Sequence, residues 1–187
     1  MNKIALIAGL AAATTASADT LLNIDLGTTN QITITATNAA SSASVTGSDT
    51  TGVLLADFYN TAVVAGLLET LVAGDLTTAG QASDGTPNLF TGIGSFGLNF
   101  WSWTNDDAEF IAGSTAFSGS ATWDVSGAEY ADLLAGNSFG DIYAFADTDD
   151  DIAAGAVVIG QWNVVPAPSS AALLGLGGLV VARRRRA

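Results

Sequence analysis

Between Asp19 and Val165 the chain has no lysine, arginine or histidine, while the same stretch carries all 18 acidic residues. A fold built from it cannot contain a Lys/Arg salt bridge. Each buried carboxylate must therefore be met by a hydroxyl, a backbone N–H or a bound cation. Self-repulsion costs such a domain stability and keeps its copies apart in solution. Nucleic acid is excluded as a partner, because phosphate contact depends on Lys and Arg. Anionic lipid headgroups are disfavoured on the same ground. Cysteine is absent as well, yet the stretch is long enough to bury one core without disulfides, so a single domain over 19–164 is expected.

The five basic residues sit at the two ends. Lys3 precedes an apolar run, Ile4 to Ala13, and Ala16-Ser17-Ala18 then has the small-x-small form of a cleavage site. Residues 1–18 are read as a signal peptide cut by signal peptidase, with Ala16 and Ala18 at the cleavage site. The run is too short to serve as an uncleaved membrane span.

The other end reads Val165-Pro166-Ala167-Pro168, then Ser169-Ser170, an apolar and glycine-rich run to Ala182, and Arg183, Arg184, Arg185 and Arg186. A helix over 169–182 spans about 21 Å at about 1.5 Å per residue, against about 30 Å for a bilayer core. Gly175, Gly177 and Gly178 weaken it further. The run is apolar all round, unlike a surface helix that buries one face, and the arginines would stay cytoplasmic. Transient insertion into the inner membrane is the expectation.

These residues resemble the PEP-CTERM sorting signal of exported bacterial proteins. That family has a Val-Pro-Glu-Pro box, a short apolar helix and a closing arginine cluster. Val165, Pro166, Pro168 and Arg183 to Arg186 match, whereas Ala167 stands where the family has Glu. The resemblance covers 165–187 alone. It implies export, a temporary hold in the inner membrane, processing by an exosortase-like enzyme, and a place at the cell surface or in an exopolysaccharide or biofilm matrix.

Inside the domain the pattern is mostly strand. Leu22, Ile24 and Leu26 alternate with Asn23 and Asp25, and Ile32 and Ile34 alternate with Thr33 and Thr35. Val53 to Tyr59, Asn88 to Trp103, Ala116 to Val125, Asp141 to Ala146 and Ala156 to Val165 continue the series, with Gly47 to Gly52 as a loop. This predicts a mainly β chain, an antiparallel β-sandwich or jelly roll with one or two short helices. Ser126-Gly127-Ala128-Glu129 has capping-box spacing and opens one helix that Gly136 ends. Apolar residues at 63, 64, 67, 68, 71 and 72 have helical spacing and suggest a second over 62–73.

Two catalytic motifs fail on their surroundings. Gly92-Ile93-Gly94-Ser95-Phe96-Gly97 spells a dinucleotide fingerprint but runs into an aromatic strand, Leu98 to Trp103, where a helix is required. Gly136-Asn137-Ser138-Phe139-Gly140 spells a nucleophile elbow in a chain without histidine. Asp147, Asp149 and Asp151 open like a calcium loop, with hard oxygen ligands on alternate residues. The later positions of that loop, Ile152 and Val158, lack the required Gly and Glu. Calcium (Ca2+) is thus the one candidate cofactor, and a solvated acidic turn is the other reading. Asn105, Asp106, Asp107 and Glu109 form a second acidic knot, which contributes ligands if the fold brings it near.

Trp101 and Trp103 share one strand face and could form a sugar-stacking platform, or with Trp123 and Trp162 fill the space between the sheets, the commoner place for such rings. A glycosidase can run on two carboxylates, but with 18 acids some suitable pair is inevitable and nominates no proton donor. The expectation is an exported, non-catalytic surface or matrix protein with a structural or adhesive role. A calcium-assisted carbohydrate-binding module is the alternative, and a carboxylate-only glycosidase the third reading.

Overall fold

The computed structural model describes residues 18–62, 69–79, 87–92, 94–101 and 107–165, except for the side chain of Trp101. The strands are β1 (Thr20–Asp25), β2 (Gln31–Ala36), β3 (Val45–Ser48), β4 (Val53–Leu55), β5 (Glu69–Gly74), β6 (Thr77–Thr78) and β7 (Asn88–Phe90). They continue as β8 (Leu98–Trp101), β9 (Asp107–Phe110), β10 (Phe117–Ser118), β11 (Ser120–Val125), β12 (Phe139–Ala144) and β13 (Val157–Val165). Helix α1 (Gly127–Ala135) lies between β11 and β12, and α2 (Asp149–Ala153) between β12 and β13. The mainly β expectation holds.

Among the described residues nine strands form one sheet in the order β5-β11-β2-β1-β13-β12-β4-β8-β7, and β10-β6 and β3-β9 form two small pairs. The sheet is mixed: β1 runs parallel to β13, and its other neighbours are antiparallel. The first and last described strands therefore lie side by side at its centre.

Alternation of side chains sets the two faces. In β2 and β11, Ile32, Ile34, Ala121 and Trp123 are buried, and the residues between them are open to solvent or half-buried. Register pairs Ile34 with Ala121 and Ile32 with Trp123, so the apolar side chains share one face. Trp162 is wholly buried, donates its indole N–H to Ala56 O at 3.1 Å and packs on Phe58 with ring centroids 4.7 Å apart. Trp123 and Trp162 thus both lie in the core. In β1 the register slips between Thr20 and Leu22, which turns Leu21 inward beside Leu22. Gly160 makes room for it, since a Cβ there would collide with the Leu21 side chain.

The sheet curls until its edge strands meet. β5 and β7 are in contact, and the Glu69 carboxylate accepts the Leu89 backbone N–H. Beyond Gly119, whose φ of 84° suits glycine, the β11 ladder continues as β10 with β6. Phe117 of β10 then meets Phe100 of β8 and Phe110 of β9 at centroid distances of 5.7 and 5.3 Å.

The expected helix at the end of β11 is present with its capping box. Ser126 Oγ accepts from Glu129 N at 3.3 Å, and Glu129 Oε2 accepts from Ser126 N at 3.0 Å. The helix expected over 62–73 is not formed where it is described. Glu69–Gly74 is strand β5, paired with β11, and 63–68 lie outside the described residues. A helix would have needed Leu71 and Val72 buried, yet they are 46% and 50% exposed. Backbone pairing along the edge of β11 outweighs a periodicity that any dense apolar run can mimic. The loop expected at Gly47 to Gly52 shrinks to a turn, because Val45–Ser48 pairs with β9 and Gly47 lies under the Phe145 ring.

Candidate functional site

The acidic turn between β12 and β13 gathers the features most suggestive of a binding site. α2 starts at Asp149, which fixes where the three carboxylates point. Residues four apart lie on one side of a helical turn, and the residue between them points elsewhere. Accordingly Asp151 Oδ2 accepts from Asp147 N at 3.0 Å, and the Asp147 and Asp151 carboxyls meet. Asp149 Oδ2 instead accepts from Phe96 N at 2.9 Å and ties the turn to the loop before β8. Asp147, Asp149 and Asp151 thus do not converge, and among the described residues no three Asp, Glu, His or Cys side chains gather as a metal would require.

The pair is electrostatically uneven. Burial first, then the facing Asp151 carboxylate, push the Asp147 carboxyl above its ordinary range. The Asp147 N–H first, then the Asp147 carboxyl and the Thr148 N–H, hold Asp151 below it. A proton entering the turn therefore resides on Asp147. Backbone N–H groups do here what lysine or arginine does in other acidic turns.

Two cavities flank the turn. One of about 190 Å³ is lined by Thr50, Phe90, Asn99 and Asp147. The other, about 180 Å³, is lined by Gly94, Ser95, Thr148, Asp149 and Asp150. Each is smaller than the roughly 300 Å³ at which drug-sized pockets begin. Phe90 and Phe96 are each 41% exposed beside them. Asn99 is buried, and its amide donates to Thr51 O and Ala146 O, both at 2.9 Å. It fastens β8 to the strand before the turn and so holds the first cavity in shape.

Thr50, Phe90, Phe96 and Asn99 escaped the sequence reading. The one available signal was Asn99, a polar residue amid the apolar Leu98, Phe100 and Trp101. The expected tryptophan platform falls outside the described residues at Trp103 and at the Trp101 side chain, as do Asn105 and Asp106. Asp107 and Glu109 belong to β9, paired with β3. Gly92 to Gly97 leads into β8, which is antiparallel to β4 and β7 and so not part of a dinucleotide-binding unit. Ser138 lies between α1 and β12, and its carbonyl accepts from Val164 N at 2.7 Å.

Ala18 opens the described residues, whereas Ala16 lies outside them, as do Pro166, Pro168 and Arg183 to Arg186. Val165 closes β13 opposite Asp25 of β1. No helix of the described residues is long and apolar enough to cross a membrane. Comparison with protein-family models, curated proteins and solved structures finds no match to this chain.

Proposed function

We propose that the chain is an exported, non-catalytic protein of the cell surface or extracellular matrix, with a structural or adhesive role. An N-terminal signal peptide starts its export, and a PEP-CTERM-like tail holds it briefly in the inner membrane for an exosortase-like enzyme. The observation that carries the reading is the order along the chain. A cleavable segment ends one residue before Asp19, the β domain follows, and the Val-Pro-Ala-Pro box begins at Val165, where β13 ends. Folded chain and processing signal abut.

The architecture we take for the domain is a β-sandwich, with the curled sheet as one layer and the two small strand pairs as the other. Contact of Phe117 in β10 with Phe100 in β8 across that gap supports it, and Phe110 of β9 packs on Phe117 within the small-pair layer. A structural role accords with how its carboxylates are used: Glu69 and Asp149 each accept a backbone N–H from a distant segment, and Glu129 and Asp151 each close their own turn by accepting one from three or four residues back.

Cell fractionation tests the delivery. Removal of Pro166–Ala187 leaves β13 whole and should shift the protein out of the membrane fraction. An unchanged distribution removes the sorting reading. The second reading, a calcium-assisted carbohydrate-binding module, is favoured by the two cavities and by the meeting of Asp147 and Asp151. Its mark is a rise in Tm with CaCl2 beyond that with MgCl2 at equal ionic strength.

A further inference from the structure

We infer that an uncharged polysaccharide chain binds across the outer face of the sheet, along the row Phe139–Asn163–Asn23–Thr35–Ser120. This deepens the adhesive reading above, on which it rests, by naming the partner. The row follows from register. Phe139 of β12 stands opposite Asn163 of β13, Asn163 opposite Asn23 of β1, Asn23 opposite Thr35 of β2, and Thr35 opposite Ser120 of β11. Directly opposed residues point to the same face, and these five strands are consecutive in the sheet. At about 4.8 Å per strand the row is about 19 Å long, which suits a chain of sugar rings rather than one.

The chemistry of the row fits an extended polyol. Phe139 is 70% exposed at one end of an otherwise polar line. An exposed ring gains most from a flat partner with an apolar face and polar edges, and a sugar ring is one. Asn163 Nδ2 donates to Asn23 Oδ1 at 3.1 Å, and the Thr35 and Ser120 hydroxyls bond at 2.7 Å. Each carboxamide has two N–H donors and an oxygen with two lone pairs, so one such bond leaves capacity for sugar hydroxyls. Gln161 Nε2 donates to Asp141 Oδ1 at 3.1 Å in the next row, about 7 Å along the strands, and adds a carboxylate acceptor.

Charge decides between occupants. Asp25, Asp124 and Asp141 share this outer face, and no basic residue lies between Asp19 and Val165. An anionic polysaccharide is repelled, and a second copy would set one acidic face against another. A neutral glycan meets neither penalty.

The test uses the purified full-length chain with EDTA present, passed over insoluble neutral polysaccharides (cellulose, mannan, a β-1,3-glucan) and over alginate as the anionic control. Retention on at least one neutral polymer and none on alginate is expected. Phe139→Ala and the pair Asn23→Ala/Asn163→Ala should each weaken it about tenfold, while Leu134→Ala, at an exposed position of α1 away from the row, leaves it unchanged. Circular dichroism verifies that each variant is folded, and Phe139 is exposed enough for its loss to be tolerated. Lack of retention on every neutral polymer overturns the inference. So does retention indifferent to the row variants, loss with Leu134→Ala alone, or a dimer by light scattering that Phe139→Ala abolishes. Fractionation separates the two claims: correct delivery without retention sinks only this inference, and retention without tail-dependent delivery sinks only the sorting reading.

Discussion

Glu69 and Leu89 stand on opposite edges of the nine-stranded sheet, yet the Glu69 carboxylate accepts the Leu89 N–H and draws the edges together. Burial is the largest influence on Glu69 and raises its pKa above the ordinary glutamate value of 4.5. For an acid whose folded pKa is raised, the stabilising contribution is complete below the unfolded value and is lost as pH rises through the folded one. Glu69→Gln keeps an oxygen acceptor without the charge, so it should raise the Tm at pH 7 and flatten the decline above pH 4.5. Glu69→Ala removes the acceptor and should cost about 1 kcal/mol. Thermal melts from pH 4 to 8 test both.

The Asp147–Asp151 pair should titrate in two separated steps. Asp147 lies above the usual 3.8 and favours the fold at acid pH, a benefit lost as pH rises through its folded value. Asp151 lies below 3.8 and favours the fold above it, a benefit lost as pH falls through its folded value. Asp147→Asn should remove the upper step alone and leave Asp151 in place. Carboxyl carbon NMR resolves the two, and a single merged titration near 3.8 would contradict the geometry.

Asn99 should be among the costliest polar residues to replace. Asn99→Leu leaves the Thr51 and Ala146 carbonyls without their donor in a buried setting, a loss of about 2–3 kcal/mol. Urea unfolding should show a lower midpoint with an unchanged slope. Loss within a few tenths of a kcal/mol would mean that water replaces the amide.

Added NaCl should stabilise this protein. Salt ordinarily screens attractive as well as repulsive pairs, but from Asp19 to Val165 side-chain charges only repel. The Tm should climb steadily between roughly 0.01 and 0.5 M, over which the screening length falls from about 30 Å to a few ångström. A flat or falling Tm would show that repulsion contributes little.

Where local pattern decided structure, the sequence was legible. Period-two alternation marked β1, β2 and β11, and the Ser126/Glu129 spacing marked α1, because both signals come from neighbours within a few residues. β5 was not legible, since Leu71 faces Trp123 across a pairing that no local rule encodes. Neither was β3, whose Gly47 is fixed by Phe145 from far along the chain. The three aspartates of the acidic turn were visible as residues. Their divergence was not, because it depends on α2 beginning at Asp149. The row from Phe139 to Ser120 could not be read at all, as its neighbours are joined only by register.

The parallel pairing of β1 with β13 has a temporal consequence. In the ladder order β13 is the link between β5-β11-β2-β1 and β12-β4-β8-β7, so this central seam cannot be completed before the chain has been made as far as Val165. Contacts between Leu22 and Trp162 bridge almost the whole domain, the kind of closure that comes late and slowly. The central seam of the sheet therefore stays open until its last strand, β13, is in place.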